Sequence, residues 1–377
     1  MIYERKDCRL CHGPVRPMLS LTPTPVANNL TPEMNTKAER YRLDLTQCLE
    51  CDHVQIRDVV DDATVYPNSY TYRTPPALKA KFLEVAKEYR IRHPEAKTVL
   101  EIGANNGLFM HALHDAGFPS CIGIDPCGSD PFVWKMPFDE KAAQLVINRV
   151  GKVDLIIANN VFAHVDDLNA MFRAVDKCLS DDGALIFEVQ SFEDMVASGS
   201  FDMIYHEHRD YHTLAPLPKF LKKHGLVISN FEKIANHGGS HRVHCKRPGL
   251  GLLVPVYPTD WRRFARKIEA EKLHVKAQLE RESGRVVAFG AAAKATTLIH
   301  HFGIADQISY CVDDTPEKQG KYIPGTAIEI SGAERLEREP ADVLFLTAWN
   351  YEAIIAQRFQ QYRMIVPFKP AQLKAAA

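Results

Sequence analysis

Residues 99–126, "VLEIGANNGLFMHALHDAGFPSCIGIDP", constrain the fold more than any other stretch of the chain. Thr98 to Ile102 is an apolar run too short for a helix and bounded by a turn, so it reads as a buried strand. The turn Gly103-Ala-Asn-Asn-Gly107 leads into residues of helical period. A second apolar run follows at Cys121 to Ile124 and ends in Asp125. Strand, turn, helix and strand in that order begin a doubly wound α/β sheet, whose ligand lies beyond the carboxyl ends of the strands. "VDLIIANNVFAHVDDLNAMFRAV" then reads as strand, polar break and helix, and "DDGALIFEVQS" as the next strand, with Glu188 at its polar end. "PLPKFLKKHGLVISNFEKI" supplies a helix and a strand, and "GGSHRVHCKR" the last strand. The sheet is expected to be complete by about residue 246.

The glycine spacing separates cofactor classes. A dinucleotide turn calls for GxGxxG, where backbone and helix N-terminus meet a pyrophosphate. This turn is instead Glu101-x-Gly103-x-x-x-Gly107 and resembles motif I of class I S-adenosylmethionine (SAM) methyltransferases. SAM has no pyrophosphate, so a carboxylate at Glu101 is tolerable and would attract the cationic end of the cofactor. Asp125 stands where an acid binds a ribose diol. The resemblance extends to the fourth strand, with Asn159, Asn160 and His164 near the methyl-transfer face. Glu101, Gly103, Asn105, Gly107, Asp125, Asn159 and Asn160 are therefore the expected cofactor-binding residues.

A chain of 377 residues is long for one domain, and two or three are expected. Of the nine cysteines, four form two CxxC pairs, Cys8/Cys11 and Cys48/Cys51. No basic-then-apolar leader opens the sequence, so a reducing cytoplasm and metal ligation are expected rather than disulfides. Each CxxC turn points two thiolates at one ion, and two turns complete a tetrahedron around Zn2+. Between them, "PTPVANNL" reads as extended or turning chain and "RYRLDLTQC" as a strand feeding the second knuckle. Four thiolates leave no open position, so the zinc is expected to be structural. His12 and His53 beside the knuckles are expected to be supporting or surface groups. The formal net charge of -1 argues against a nucleic-acid partner, and no apolar run reaches membrane-spanning length.

Beyond residue 246, "YPTDWRRFARKIEAEKLHVKAQLERESG" reads as a long charged helix acting as a brace. "RVVAFGAAAKATTLIHHFGI" gives strand, tight turn and helix, and "ISYCVDDTPEKQGKYIPG" and "ADVLFLTAWNY" further strands. This second Rossmann-like unit lacks GxGxxG, which disfavours NAD. Gly290 and Lys294 sit where a turn and a cation could meet phosphate. The expected organisation is a zinc-binding lobe over 1–70, a SAM-binding domain over 71–246, and a brace plus Rossmann-like domain over 247–377.

"FDMIYHEHRDYHTL", residues 201–214, falls on the cofactor side of the first sheet. A zinc-protease reading fails, because HExxH requires His where Asp210 stands. A solvated polar loop and a proton-transfer site remain, and the clustered His, Tyr and Glu favour the second. Two CxxC pairs, EIGANNG, YHEH, a helical link and a second nucleotide-type fold together resemble the sugar C-methyltransferases, which methylate C-3 of nucleotide-linked 4-keto-deoxysugars. The resemblance spans nearly the whole chain, and extends to "GAAAKATTL" and "DDTPEKQGKYIPGT". It implies that Tyr205, Glu207 and His208 form the reactive cluster, with His208 as base and His164 as a further active-site histidine. It also implies that Tyr70 or Tyr72 closes over the site, and that the last lobe, with Gly290 and Lys294, helps to hold the NDP-linked keto-deoxysugar. Glu207 could orient His208, although neighbours along a strand point oppositely. The competing readings are an O- or N-methyltransferase of a sugar or other small metabolite, an RNA base methyltransferase, and a SAM-sensing scaffold. Three lobes around one site could act as a monomer.

Overall fold

A computed structural model describes residues 2–67, 73–247, 249, 251–256 and 260–368. The expected positions Tyr70 and Tyr72 lie outside the described residues. Among those described, no helix is long and apolar enough to cross a membrane.

The central sheet is built from Thr98–Ile102 (β1), Ser120–Ile124 (β2), Val133–Trp134 (β3), Val153–Asn159 (β4), Leu179–Gln190 (β5), Val227–Ile234 (β6) and Ser240–Lys246 (β7). Its order is β6-β7-β5-β4-β1-β2-β3. β1 to β5 run parallel, while β7 inserts antiparallel between β5 and β6. The order reverses between β1 and β4, so the carboxyl ends of those two strands open the ligand crevice. β1 and β4 are buried along most of their length, as expected of strands covered by helices on both faces.

The N-terminal segment forms an antiparallel sheet of Val15–Thr24, Tyr41–Cys48 and Val54–Ile56. Its fourth strand, Asp210–Tyr211, comes from the polar run and pairs with Val54–Ile56. Tyr41–Cys48 is a strand, as its pattern suggests, but its last six residues are buried on both faces. The reason is that this lobe is wrapped by the rest of the chain. Leu43, Leu45 and Ile56 share one apolar core with Phe201, Ile204 and Tyr211, and with Leu298 and Phe302 of the last lobe.

The last lobe is an all-parallel sheet of Val286–Phe289 (β8), Tyr310–Val312 (β9), Ile330–Ser331 (β10), Val343–Leu346 (β11) and Arg363–Ile365 (β12), in the order β10-β9-β8-β11-β12. The brace is the helix Trp261–Leu279, whose buried residues Phe264, Ile268, Val275 and Leu279 recur at helical spacing along one face.

Candidate active site

The two CxxC turns have the same backbone. In each, the first cysteine donates its N–H to the carbonyl five residues on, Cys8 to Gly13 (2.9 Å) and Cys48 to His53 (2.8 Å). In each, the residue after the second cysteine is left-handed, with His12 and Asp52 both at φ 62°. This repeated fold points all four sulfurs at one centre. They lie within 4.8 Å of one another, with Cys8–Cys51 at 3.6 Å and Cys11 3.5 Å from both Cys48 and Cys51. A tetrahedral zinc thiolate site has sulfurs about 3.8 Å apart, from its Zn–S length of about 2.3 Å. The four cysteines therefore fit the metal. His53 is fully buried and turned away from the sulfurs: its Nε2 lies 2.7 Å from Asp210 Oδ1.

At the mouth of the central sheet, Gly103 and Gly107 adopt φ 74° and 72°. A side chain on Gly103 would come within 2.4 Å of Val161, so only glycine lets β1 turn against the strand-end of β4. Asp125 at the end of β2 accepts the backbone N–H of Asn105 (3.0 Å) and of Cys127 (2.6 Å), which fixes the turn. Glu101 lies beneath the helix Leu108–Asp115 and accepts the Met110 N–H. Burial, with Asp125 nearby, raises its carboxyl to about 8, so at neutral pH it is protonated until a cation lies beside it. Asn159 closes β4 with a buried side-chain oxygen that has no donor, and Asn160 is left-handed at φ 55°. That orphaned acceptor at the crevice fits a ligand that brings its own N–H or O–H.

Every residue of the run 201–214 is buried, and Tyr205, Glu207, His208, Asp210 and His212 are all below a tenth exposed. The solvated-loop reading is overturned, because the run is the joint of the molecule. Asp210 and Tyr211 pair with the N-terminal sheet. His212 bridges to Ser191 at the end of β5, and the Thr297 hydroxyl of the last lobe donates to the Ile204 carbonyl (2.8 Å).

Within this joint Tyr205 and His208 stack, with ring centroids 4.0 Å apart, and the Tyr205 hydroxyl lies 2.7 Å from His208 Nε2. His208 Nδ1 lies 3.1 Å from the Met203 carbonyl, which can only accept, so Nδ1 carries the hydrogen. In the neutral ring Nε2 then accepts from the Tyr205 hydroxyl. His164, just beyond β4, meets His208 edge-to-face at 4.8 Å. Burial, with Arg209 nearby, lowers its imidazole to about 4, so it stays neutral at physiological pH. Glu207 points elsewhere: its Oε1 accepts both the backbone and side-chain N–H of Asn28 (3.2 and 3.0 Å), and its Oε2 is buried without a donor. Burial raises this carboxyl to about 7.

The structure thus brings His208, Tyr205 and His164 together and bonds Glu207 to Asn28 rather than to His208. Two contributors escape the sequence. Tyr66 places its hydroxyl 2.8 Å from His164 Nδ1. The buried Arg209 pairs with Asp62 and donates to the His164 carbonyl (3.1 Å). The aromatic connector that begins at "VYPN", of which Tyr66 is the tyrosine, was a usable signal for the first, but nothing in the sequence pairs residues 66 and 164.

In the last lobe Gly290 has φ 103°, and a side chain there would meet Ala348 at 2.5 Å. Lys294 is buried, its ammonium 4.2 Å over the Trp349 ring and bonded to Asn350. Trp349 in turn donates to Asp202 (2.6 Å) at the start of the run. Burial, partly offset by Asp202, lowers Lys294 to about 8. Gly290 and Lys294 follow β8 and Trp349 follows β11, so they flank the point where this sheet also reverses order.

Three family profiles match the chain in succession: a zinc binding domain over residues 8–66, a methyltransferase domain over 70–229 and a C-methyltransferase C-terminal domain over 254–366. The C-methyltransferase NovU of Streptomyces niveus is 27% identical over 410 aligned residues, 98% of this chain and 97% of that protein. A tRNA U34 carboxymethyltransferase of Pseudomonas fluorescens is 32% identical over 107 residues, 25% of this chain and 33% of that one. Among solved structures, the SAM-bound magnesium protoporphyrin IX methyltransferase of Synechocystis aligns at TM-score 0.34 and 16% identity, over 48% of this chain and 89% of that one. An O-methyltransferase family protein from Burkholderia thailandensis aligns at TM-score 0.35 and 14% identity, over 46% of this chain and 57% of that one.

Proposed function

We propose that this SAM-dependent methyltransferase with a zinc-binding N-terminal domain, similar over 98% of its length to a C-methyltransferase, methylates C-3 of an NDP-linked 4-keto-deoxysugar through an enolate made by His208. The observation that carries this reading is the placement of His208, its Nδ1 3.1 Å from the Met203 carbonyl and its Nε2 2.7 Å from the Tyr205 hydroxyl.

Carbon becomes a nucleophile only after a proton beside a carbonyl is removed. In this scheme Nε2 takes the C-3 proton, the C–H electron pair moves into the enolate, and the Tyr205 hydroxyl turns from Nε2 to the enolate oxygen. The Met203 carbonyl holds the Nδ1–H throughout and so favours the imidazolium that forms. His164, kept neutral, adds no positive charge against it. The turn Gly103–Gly107 with Glu101, Asp125, Asn159 and Asn160 would hold SAM, which when bound supplies an electrophilic methyl group to the carbanion carbon. Glu207 is assigned to the shape of the pocket through Asn28. The cation and ring of Lys294 and Trp349, at the switch point of the last sheet and joined to the run through Asp202, support placing the nucleotide-linked part of the substrate there. Alignment of two bound reactants is worth on the order of 7–11 kcal/mol, which is the larger share of the catalysis proposed.

The test is His208→Asn assayed with NDP-4-keto-deoxysugars. Turnover is expected to fall by about a hundredfold or more, with SAM affinity unchanged. Unchanged turnover would remove His208 from the role.

A further inference from the structure

Both zinc knuckles grip one carboxylate of the catalytic run. Asp210 is 3% exposed, and its two oxygens reach different knuckles. Oδ1 lies 2.7 Å from Nε2 of His53, and Oδ2 lies 3.2 Å from the Arg9 guanidinium. Arg9 stands between the two cysteines of the first knuckle. His53 stands two residues past the second, and its carbonyl closes that knuckle by accepting the Cys48 N–H. Each side chain thus leaves the backbone from within or beside its own CxxC turn, and the Arg9 guanidinium also donates to the Val165 and Asp166 carbonyls. The paired sulfurs, Cys8 with Cys51 and Cys11 with Cys48, come from different knuckles, so the metal locks the two turns to each other.

The other end of this clamp reaches the active site over a short path. Asp210 and Tyr211 form the strand that pairs with Val54–Ile56, the strand following the second knuckle. The Tyr211 hydroxyl donates to the His208 carbonyl (3.1 Å). On the remaining side the Arg209 N–H donates to the Ala163 carbonyl (2.6 Å), beside His164. The backbone that carries the His208 imidazole is therefore held from the zinc side and from the β4 side at once.

We propose that Asp210 is a positioning residue through which the two zinc knuckles together fix the His208 imidazole, so that metal occupancy governs the competence of the base. This rests on the reading of His208 as the base, but the geometry it asserts is measured without turnover. It explains why a closed metal site is built next to a joint that already has an apolar core. The metal makes the grip on Asp210 depend on both knuckles being formed.

The experiment follows the His208 ring nitrogens by NMR in full-length protein carrying isotopically labelled histidine, with His208 assigned by its absence in His208→Asn. In zinc-loaded protein the Nδ1-protonated tautomer is expected. In Asp210→Asn, and in wild-type protein stripped of zinc by a chelator, that signature is expected to shift towards averaged tautomers and to return in the wild type when Zn2+ is restored. In Asp210→Asn kcat is expected to fall by about tenfold or more, with the SAM dissociation constant within about twofold of wild type. His208 resonances unchanged in either the stripped protein or Asp210→Asn overturn the proposal. Should Asp210→Asn fail to bind SAM and so prove misfolded, Arg9→Lys decides by the same spectrum: a shifted His208 supports the clamp and an unshifted one refutes it. Failure of the base reading is separate, and shows as turnover retained by His208→Asn.

Discussion

The hydroxyl of Tyr205 lies 2.7 Å from Nε2 of His208 while the two rings stack three residues apart in the chain. That contact decides what each group can do. Nδ1 donates to the Met203 carbonyl, and Nε2 faces the Tyr205 hydroxyl, a group that can turn aside. If His208 is the base, this arrangement presents Nε2 rather than Nδ1 to a bound ketone.

If the Tyr205 hydroxyl stabilises the enolate oxygen, Tyr205→Phe keeps the stacked ring and removes only the donor. Steady-state kinetics should then show kcat reduced by about 10²–10³, with little change in SAM affinity. A kcat within a few-fold of wild type would assign the hydroxyl to packing alone.

Glu207 leads to a pH test. Its folded carboxyl titrates at about 7 because it is buried, while in the unfolded chain it titrates near 4.5. Between these values the native state keeps a proton that the unfolded state has released, so this group's contribution to stability is present below about pH 4.5 and is lost as pH rises to about 7. Glu207→Gln mimics the protonated acid and lacks that loss. Urea unfolding across this range should show the variant gaining on the wild type by on the order of 3 kcal/mol towards neutral pH. A difference that does not change with pH would contradict the burial argument.

Zinc removal should be felt beyond the knuckles, since Cys8, Leu10 and Cys48 share an apolar core with Leu100, Phe162 and Leu214 of the central domain. Chelation is expected to lower the first thermal transition by roughly 5 °C or more. Restored Zn2+ should reverse this and Mg2+ should not, because thiolates select the softer ion. A melting profile unmoved by complete zinc removal would rule out a structural metal.

Local chemistry was legible in the sequence, and distant contacts were not. The turn Gly103–Gly107 and the CxxC knuckles announce themselves because each is a backbone conformation made by adjacent residues. The YHEH run stood out in the sequence by its clustered His, Tyr and Glu, but not as the joint of three lobes. Its partners are Asn28, His53 and Thr297, which are 179, 157 and 93 residues from the groups they touch. Glu207 shows the limit well. Strand alternation would turn it away from His208, but Tyr205 to His208 is a turn closed by the His208 N–H on the Tyr205 carbonyl (2.9 Å), and only the fold supplies Asn28 as the partner of Glu207. Tyr66 was passed over for the same reason, since its role exists only through His164, 98 residues on. The antiparallel insertion of β7 between β5 and β6 also left no mark in the strand's own residues, because orientation is set by the Gly238–Gly239 turn and the preceding connection.

The central claim is that an imidazole ionises a carbon–hydrogen bond before any methyl group moves. It is tested by incubating the enzyme with an NDP-4-keto-deoxysugar in deuterium oxide without SAM, and following C-3 by NMR. The account predicts that the wild type washes deuterium into C-3 and that His208→Asn does not. A wild type that methylates this substrate yet never exchanges the C-3 hydrogen, or a His208→Asn variant that exchanges it as fast, would contradict the account.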